Sequence, residues 1–180
     1  MADGDQHIDL KAFIRDVPDF PALGVLFRDI TPLLLDPAAY RYAIDELTRR
    51  VGELAPDAVV GIESRGFLFG APVAYNLRLP FVPIRKAGKL PSERMSVEYA
   101  LEYGEAQLDI HADALQRGRR AVIVDDLLAT GGTASAAASL VEQLGAQVAG
   151  IACLVELALL GGRERLKEYP VIALVSYAEG

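Results

Sequence analysis

Four short apolar runs constrain the fold of this chain more than any other feature of its sequence. They cover residues 58–62, 81–84, 121–124 and 148–155. None of them alternates apolar with polar residues, so each is typical of a strand that is buried on both faces, as in a parallel sheet. Helix-like stretches lie between the runs, one ending near residue 77 and one covering about residues 133–144. This order predicts an α/β fold with an open, mostly parallel, twisted sheet flanked by helices. The ligand site of such a sheet lies beyond the carboxyl ends of its strands.

The segments around this pattern predict further features. A short first helix is indicated by apolar residues at helical spacing, namely Leu10, Phe13, Ile14 and Val17. Asp36 followed by Pro37 is typical of a helix N-terminus, and the helical spacing of apolar residues continues to Leu54. In about residues 86–110, a Gly-, Pro- and Ser-containing stretch precedes a two-stranded excursion. We expect this insertion to form a flexible lid over the site.

Charge and cysteine content exclude several classes of function. The 180 residues carry 18 Lys and Arg against 25 Asp and Glu, a formal net charge of −7. Nucleic acid is therefore not expected as a partner, because a broad basic face needs many Lys and Arg. The only cysteine, Cys153, cannot form an intrachain disulfide, and with two histidines it cannot complete a structural zinc site. The longest uncharged run, residues 127–141, is shorter than the roughly 20 residues of a membrane span. The acidic start does not fit a signal peptide, so we expect a cytoplasmic protein without a membrane partner.

The most informative segment follows the third apolar run. It places two carboxylates after a buried strand, and then small residues, hydroxyls and glycines before a helix: Asp125, Asp126, Ala129, Thr130, Gly131, Gly132 and Thr133. Free N–H groups at a helix N-terminus favour a phosphate. The two carboxylates would repel that phosphate unless they face hydroxyl groups or a metal ion, so a sugar phosphate fits the segment. On the turn alone, an ordinary strand-to-helix connection with Asp caps explains the same residues as well.

This segment resembles the type I phosphoribosyltransferases. In that family a hydrophobic strand, two acidic residues and a Thr-Gly-Gly-Thr-like turn hold the ribose and 5-phosphate of phosphoribosyl pyrophosphate. Residues 20–30, 61–67 and 84–91, with 101–104 and 154–157, narrow the resemblance to the adenine phosphoribosyltransferases. It extends over about residues 17–166. It implies one domain over residues 1–180, with a small N-terminal hood and base-reading segment in about residues 1–35.

The resemblance also implies how the substrates bind. The adenine ring would lie against Phe27, with main-chain groups of Leu26 and Arg28 reading its edge and Leu157 lining the same pocket. A local basic cluster would meet the pyrophosphate, with a main-chain N–H of Ser64 presented by a cis peptide after Glu63. The members of that cluster are Arg65, Arg85, Lys86 and Lys89.

Catalysis, the metal and the assembly are further implications of the resemblance. Glu102 would manage the proton at a purine ring nitrogen, Tyr103 would position the leaving group, and Arg65 would contact the pyrophosphate. Mg²⁺ would be bound mainly through the substrate, without direct protein ligands. The protein would be a homodimer, and Lys89 would come from the partner subunit.

Three alternatives are weighed against this interpretation. The same transfer to hypoxanthine, guanine or xanthine is disfavoured, because the segment around Phe27 resembles that of the adenine enzymes. A regulator that senses phosphoribosyl pyrophosphate and binds nucleic acid or a partner would need an added DNA-binding motif or a basic face. A purely structural α/β domain does not explain so many polar, Gly-rich loops at strand ends.

Overall fold

The computed structural model describes residues 7–100 and 105–178. Within them the strands are β1 (Arg15–Pro18), β2 (Leu26–Asp29), β3 (Ala58–Ile62), β4 (Phe81–Lys86), β5 (Arg94–Ala100), β6 (Glu105–His111), β7 (Arg120–Leu128), β8 (Gln147–Leu157) and β9 (Val171–Tyr177). The helices are α1 (Thr31–Leu35), α2 (Pro37–Gly52), α3 (Gly66–Leu77), α4 (Gly132–Gln143) and α5 (Gly162–Arg165). Short 3₁₀ turns cover Leu10–Phe13 and Ala158–Leu160.

Seven of these strands form the central sheet, in the order β5-β6-β4-β3-β7-β8-β9. The five strands from β4 to β9 in that order are parallel, and β6 and β5 extend one edge in the antiparallel sense. The predicted open, mostly parallel sheet is confirmed. The two-stranded excursion after β4 is also confirmed, since it is the β5–β6 pair.

Both faces of the sheet are covered, which is why its central strands contain so few polar residues. In β3, Val60 and Ile62 pack into the core beneath α4, whereas Val59 packs into the core beneath α2 and α3. Every residue of β3 is buried. The absence of alternation in the sequence therefore reflects strands that are enclosed by helices on both sides.

The prediction of a first helix is wrong. Only the 3₁₀ turn Leu10–Phe13 forms, and Arg15–Pro18 is a strand that pairs antiparallel with β2. Leu10 and Ile14 are buried, as the apolar spacing indicated, but Ile14 has an extended backbone with φ −110° and ψ 123°. Tertiary pairing with β2 overrides a local helical pattern that is only two turns long.

The second helix forms as predicted. The Asp36 carboxylate accepts hydrogen bonds from the backbone N–H groups of Ala38 and Ala39, and Pro37 is the first residue of α2. Buried residues of this helix pack under the sheet together with α3. In the described part of the chain, no helix has the length and apolar character required to cross a membrane.

Candidate active site

A cavity of about 670 Å³ lies where the carboxyl ends of β3 and β7 meet the base of the predicted lid. Its walls come from residues 62–65 after β3, residues 125–134 around the end of β7, and residues 106–108 of β6, with Lys86, Ala87 and Tyr99. This position is the one expected for a ligand site in an open α/β sheet. The whole predicted sugar-phosphate segment, from Asp125 to Thr133, lines it.

The turn before α4 is shaped by close backbone packing. Gly131 has φ +79°, and a Cβ there would lie 2.9 Å from the carbonyl oxygen of Gly162. A Cβ on Gly162 would lie 2.3 Å from the carbonyl oxygen of Ala129. Both positions therefore require glycine. The result is a tight turn that leads into the N-terminus of α4, whose free N–H groups suit a phosphate.

The two aspartates lie within β7, which continues to Leu128, rather than after the strand. Asp126 is only 5% exposed, and Arg65 Nε lies 2.9 Å from its Oδ2. The Arg65 N–H is not aligned with that oxygen, so Oδ2 accepts no hydrogen bond from the described residues. Asp125 Oδ1 accepts the backbone N–H of Asp126 at 2.9 Å.

The electrostatics of this pair are unfavourable in the free protein. Burial and the neighbouring charge of Asp126 raise the pKa of Asp125 well above its usual value. Burial also raises the pKa of Asp126, although the Arg65 guanidinium opposes that change. A buried carboxylate oxygen without a hydrogen-bond donor, next to a half-buried second carboxylate, is suited to a ligand that supplies hydroxyl groups.

Arg65 connects this carboxylate pair to the N-terminal hood. Its guanidinium lies 5.4 Å from the centre of the Phe27 ring, while its Nε lies 2.9 Å from Asp126 Oδ2. Phe20 packs edge-to-face on the same ring, with centroids 5.1 Å apart. Phe27 therefore borders the site, although neither it nor Leu26, Arg28 or Leu157 is among the residues that line the 670 Å³ cavity.

The side chain of Arg28 is committed to packing within the hood. It is buried, forms an ion pair with Asp16, and lies over the Tyr177 ring at 3.9 Å. The side chain is thus engaged within the protein, and the resemblance assigns only the main chain of Arg28 to the adenine edge. Leu157 ends β8 and packs, half-buried, at the margin of the core beneath the hood.

The basic turn after β4 is held by two carboxylates, of which Asp109 is fully buried and Glu63 is partly buried. Glu63 forms ion pairs with Arg85 and Lys89, and it also accepts the backbone N–H of Lys86 at 3.0 Å. On the other side, Asp109 accepts the backbone N–H of Gly88 at 3.0 Å. The Arg85 hydrogen bond is the main reason that the pKa of Glu63 falls to about 2.

The structure therefore separates the predicted basic cluster into two groups. Arg65 and Lys86 line the cavity, together with Ser64, and the Glu63–Ser64 peptide is cis. Arg85 and Lys89 are not among the lining residues, and they instead pair with Glu63, which does line the cavity. Glu102 and Tyr103 lie outside the described residues.

Sequence reasoning missed two polar residues of the cavity wall. Tyr99 of β5 and Gln107 of β6 both line it, and the Thr133 hydroxyl donates to the Tyr99 hydroxyl at 3.3 Å. A signal for Tyr99 existed, because it lies two residues before the 101–104 segment that carries part of the resemblance. Gln107 could be found only from the antiparallel register of β5 and β6.

Comparisons with known proteins agree with this geometry. Residues 35–174 match the phosphoribosyl transferase domain family. An adenine phosphoribosyltransferase of Synechococcus sp. is 59% identical over 170 residues, which are 94% of this chain and 99% of the relative. The crystal structure of adenine phosphoribosyltransferase from Thermoanaerobacter pseudethanolicus is 52% identical with a TM-score of 0.90, covering 93% of this chain and 98% of that one. The enzyme from Saccharomyces cerevisiae, complexed with an imino-altritol bisphosphate and adenine, is 43% identical with a TM-score of 0.86, covering 92% and 96%.

Proposed function

This chain belongs to the phosphoribosyl transferase family, among the adenine phosphoribosyltransferases, and on that premise we propose that it serves purine salvage. It transfers the 5-phosphoribosyl group of phosphoribosyl pyrophosphate to adenine, and it forms AMP and pyrophosphate. The observation that carries the proposal is the placement of Arg65. One guanidinium lies 2.9 Å from Asp126 and 5.4 Å from the Phe27 ring, so a ribose site, a base site and a cation for the leaving group are adjacent.

The reaction is a displacement at the anomeric carbon of the ribose. Breaking the bond to pyrophosphate builds positive charge on the sugar ring and negative charge on the leaving group. Asp125 and Asp126 hold the ribose hydroxyls and stabilise the ring charge. The turn from Ala129 to Thr133 anchors the 5-phosphate, so that binding energy far from the reacting bond orients the sugar.

The leaving pyrophosphate requires cations and N–H donors. Ser64, Arg65 and Lys86 bind it from the cavity wall, which is the part of the basic cluster that already faces the site. Arg85 contributes when the pyrophosphate competes with Glu63 for it. Glu102 manages the proton at the purine ring nitrogen and Tyr103 positions the leaving group, with the lid closed over both substrates.

Adenine binds against Phe27, and the main chain of Leu26 and Arg28 reads its edge. A flat base gains from stacking on an aromatic ring, and one backbone C=O and N–H complement its exocyclic amine and ring nitrogen. Leu157 closes the same pocket. The packing of Phe20 against Phe27 supports this assignment, because it holds the ring in one orientation.

The metal of this site is Mg²⁺, bound mainly through the substrate. Residues 7–100 and 105–178 contain no group of three or more His, Cys, Asp or Glu that could hold a metal ion by themselves. The carboxylate of Asp126 fits a metal that is bound through the substrate, because its unsatisfied Oδ2 could accept a hydrogen bond from a water molecule on that metal. When bound, Mg²⁺ neutralises charge on the pyrophosphate. We place the enzyme in the cytoplasm as a homodimer, in which Lys89 serves the partner subunit's site.

The test is pyrophosphate release with phosphoribosyl pyrophosphate, Mg²⁺ and each of adenine, hypoxanthine, guanine, xanthine, uracil and orotate. Turnover with adenine alone is expected. Turnover with another base would leave the phosphoribosyl half of the proposal and overturn the base assignment. Binding of phosphoribosyl pyrophosphate without turnover for any base would instead indicate a sensor.

Phe27→Ala tests the base site within the same assay. The substitution removes the stacking surface, so the KM for adenine is expected to rise at least about tenfold. The KM for phosphoribosyl pyrophosphate should change by less than about twofold, because the turn from Ala129 to Thr133, here called the phosphate turn, and the two aspartates are untouched. Equal changes in both constants would count against adenine at Phe27.

A further inference from the structure

Tyr99 meets the phosphate turn from the opposite wall of the cavity. It lies near the end of β5, the strand that leads into residues 101–104, and its register partner in β6 is Ala106, which also lines the cavity. Its ring is partly buried against the core beneath α4. The ring is therefore held in place by packing, and its hydroxyl contacts the Thr133 hydroxyl near the start of α4.

The hydrogen bond between the two hydroxyls is long, and it leaves the proton of the Tyr99 hydroxyl unused. Thr133 Oγ1 donates to the Tyr99 hydroxyl across 3.3 Å, longer than the roughly 2.7–2.8 Å typical of hydroxyl pairs. Each hydroxyl can both donate and accept. Tyr99 Oη donates to no described partner, so its own proton is available when a ligand arrives.

A phosphate bound at the turn changes which hydroxyl donates. The phosphate oxygen accepts the Thr133 proton, because a hydrogen bond to an anion is stronger than one to a neutral hydroxyl. Thr133 Oγ1 is then left with a free lone pair on the side of Tyr99. The Tyr99 hydroxyl can donate to that lone pair and keep the Thr133 proton directed at the phosphate.

We propose that Tyr99, on β5, is a positioning residue for the 5-phosphate site: it orients the Thr133 hydroxyl toward the phosphate. The inference rests on the proposed function, since it deepens the same site. Its ligand class is a sugar 5-phosphate. A consequence is that the phosphate and the strand leading into the lid are joined through one side chain.

Tyr99→Phe tests this with little risk to folding, because the ring and its packing are kept. Binding of ribose 5-phosphate, AMP and adenine is measured by titration calorimetry, which requires no transfer reaction. We expect affinity for ribose 5-phosphate and AMP to fall about fivefold, the size of one ordinary hydrogen bond. Affinity for adenine, which has no phosphate, is expected to stay within about twofold.

Two further variants make the result specific. Tyr169→Phe removes a tyrosine hydroxyl that does not line the cavity and that donates to Glu142 across 2.8 Å. This variant should leave all three affinities unchanged. Thr133→Val alone should lower the affinity for ribose 5-phosphate and AMP. Adding Tyr99→Phe to that variant should lower the affinity by less than a further factor of about two, because Tyr99 acts through Thr133.

The proposal is overturned if Tyr99→Phe binds ribose 5-phosphate and AMP as the parent does, or if adenine binding falls by the same factor. It is also overturned if the two substitutions are fully additive, or if the parent binds neither phosphate. Failure of the proposed function would look different. A parent that binds ribose 5-phosphate but transfers to another base, or to none, would refute adenine transfer while leaving the Tyr99 effect measurable.

Discussion

Asp126 is a buried acid whose charge is unfavourable in the free protein and which we propose holds the ribose of the substrate. Its side chain is almost fully enclosed, and the nearby Arg65 guanidinium does not supply an aligned hydrogen bond to Oδ2. Burial raises its pKa, so the folded state binds this proton more tightly than the unfolded chain does. By linkage, this carboxyl group contributes stability below its ordinary pKa of 3.8, and that contribution is lost as the pH rises through the raised pKa of the folded state.

Asp126→Asn is therefore expected to raise the melting temperature of the free protein at pH 8, because the buried charge is removed. The gain should shrink as the pH falls through the raised pKa of Asp126, because the parent carboxylate then takes up its proton. The same variant should raise the KM for phosphoribosyl pyrophosphate at least about tenfold, because the ribose hydroxyls lose a charged acceptor. Thermal unfolding at several pH values and steady-state kinetics measure the two effects.

The control for that experiment is Asp45→Asn, which removes a negative charge from the exposed side of α2. It should change neither the kinetics nor the pH dependence of unfolding. A lower melting temperature of Asp126→Asn at pH 8 would contradict the prediction. It would mean that the ion pair with Arg65 outweighs the cost of burying the carboxylate.

Residue types at the ends of buried strands could be predicted from the sequence, because their chemistry is local. The segment from Asp125 to Thr133 lies on the cavity wall as expected. Pairings over long sequence distances could not be predicted in this way. Glu63 binds Arg85 and Lys89, 22 and 26 residues further along the chain, and only the parallel register of β3 and β4 brings them together.

At the level of elements, α5 and the phosphate turn behave as one packed unit. The chain that follows β8 is tied down by Arg163, which donates to both carboxylate oxygens of Glu156 at 2.9 and 2.7 Å. Glu156 is 5% exposed, whereas the Arg163 side chain is 52% exposed, so a buried carboxylate is paired with a guanidinium that reaches solvent. This ion pair fixes Gly162 against the carbonyl oxygen of Ala129, where a Cβ would lie at 2.3 Å.

Gly162→Ala is expected to displace the phosphate turn, because the carbonyl of Ala129 belongs to the backbone and cannot rotate away. The KM for phosphoribosyl pyrophosphate should rise at least about tenfold, since small misplacements of anchoring groups are costly. Overpacking should destabilise the fold by about 1–3 kcal/mol. Steady-state kinetics and chemical denaturation give the two values.

Gly52→Ala, at the last residue of α2, is the matched control. Its Cβ would lie 3.4 Å from Leu77 Cδ2, which is an ordinary contact with a flexible side chain. It should keep both kinetic constants. If Gly162→Ala kept the KM of the parent, the turn would not depend on its packing against α5.

The enclosed strands could be predicted from the sequence and strand β1 of the hood could not, because only burial on both faces leaves a clear apolar pattern. Strands such as β3 and β8 owe their apolar character to helices on both faces, so their burial is visible in the sequence itself. β1 has four residues that are mostly exposed, and its pairing with β2 depends on contacts such as Arg15 with Asp29. A strand of that kind leaves no periodic signal.

At the scale of the whole molecule, α3 presents an apolar face that the described residues leave uncovered. Leu68, Pro72 and Tyr75 follow one another at i, i+4 and i+7, so they share one side of the helix. Leu68 is 41% exposed and Tyr75 is 83% exposed. Apolar residues grouped in this way mark an interaction surface more often than single exposed residues do. The face agrees with the proposed homodimer, whose second copy would cover it.

Tyr75→Asp is expected to weaken that dimer, because it places an unpaired charge where two apolar faces meet. Light scattering after size-exclusion chromatography should give the mass of about one chain, and activity should fall most at low protein concentration if Lys89 serves the partner subunit's site. Leu23→Asp, at a residue 90% exposed on the hood, is the control for mass and should leave it unchanged. A Tyr75→Asp protein that stays dimeric would show that the subunits meet elsewhere. A monomer that keeps full activity would place the dimer on α3 but show that each site is complete within one chain.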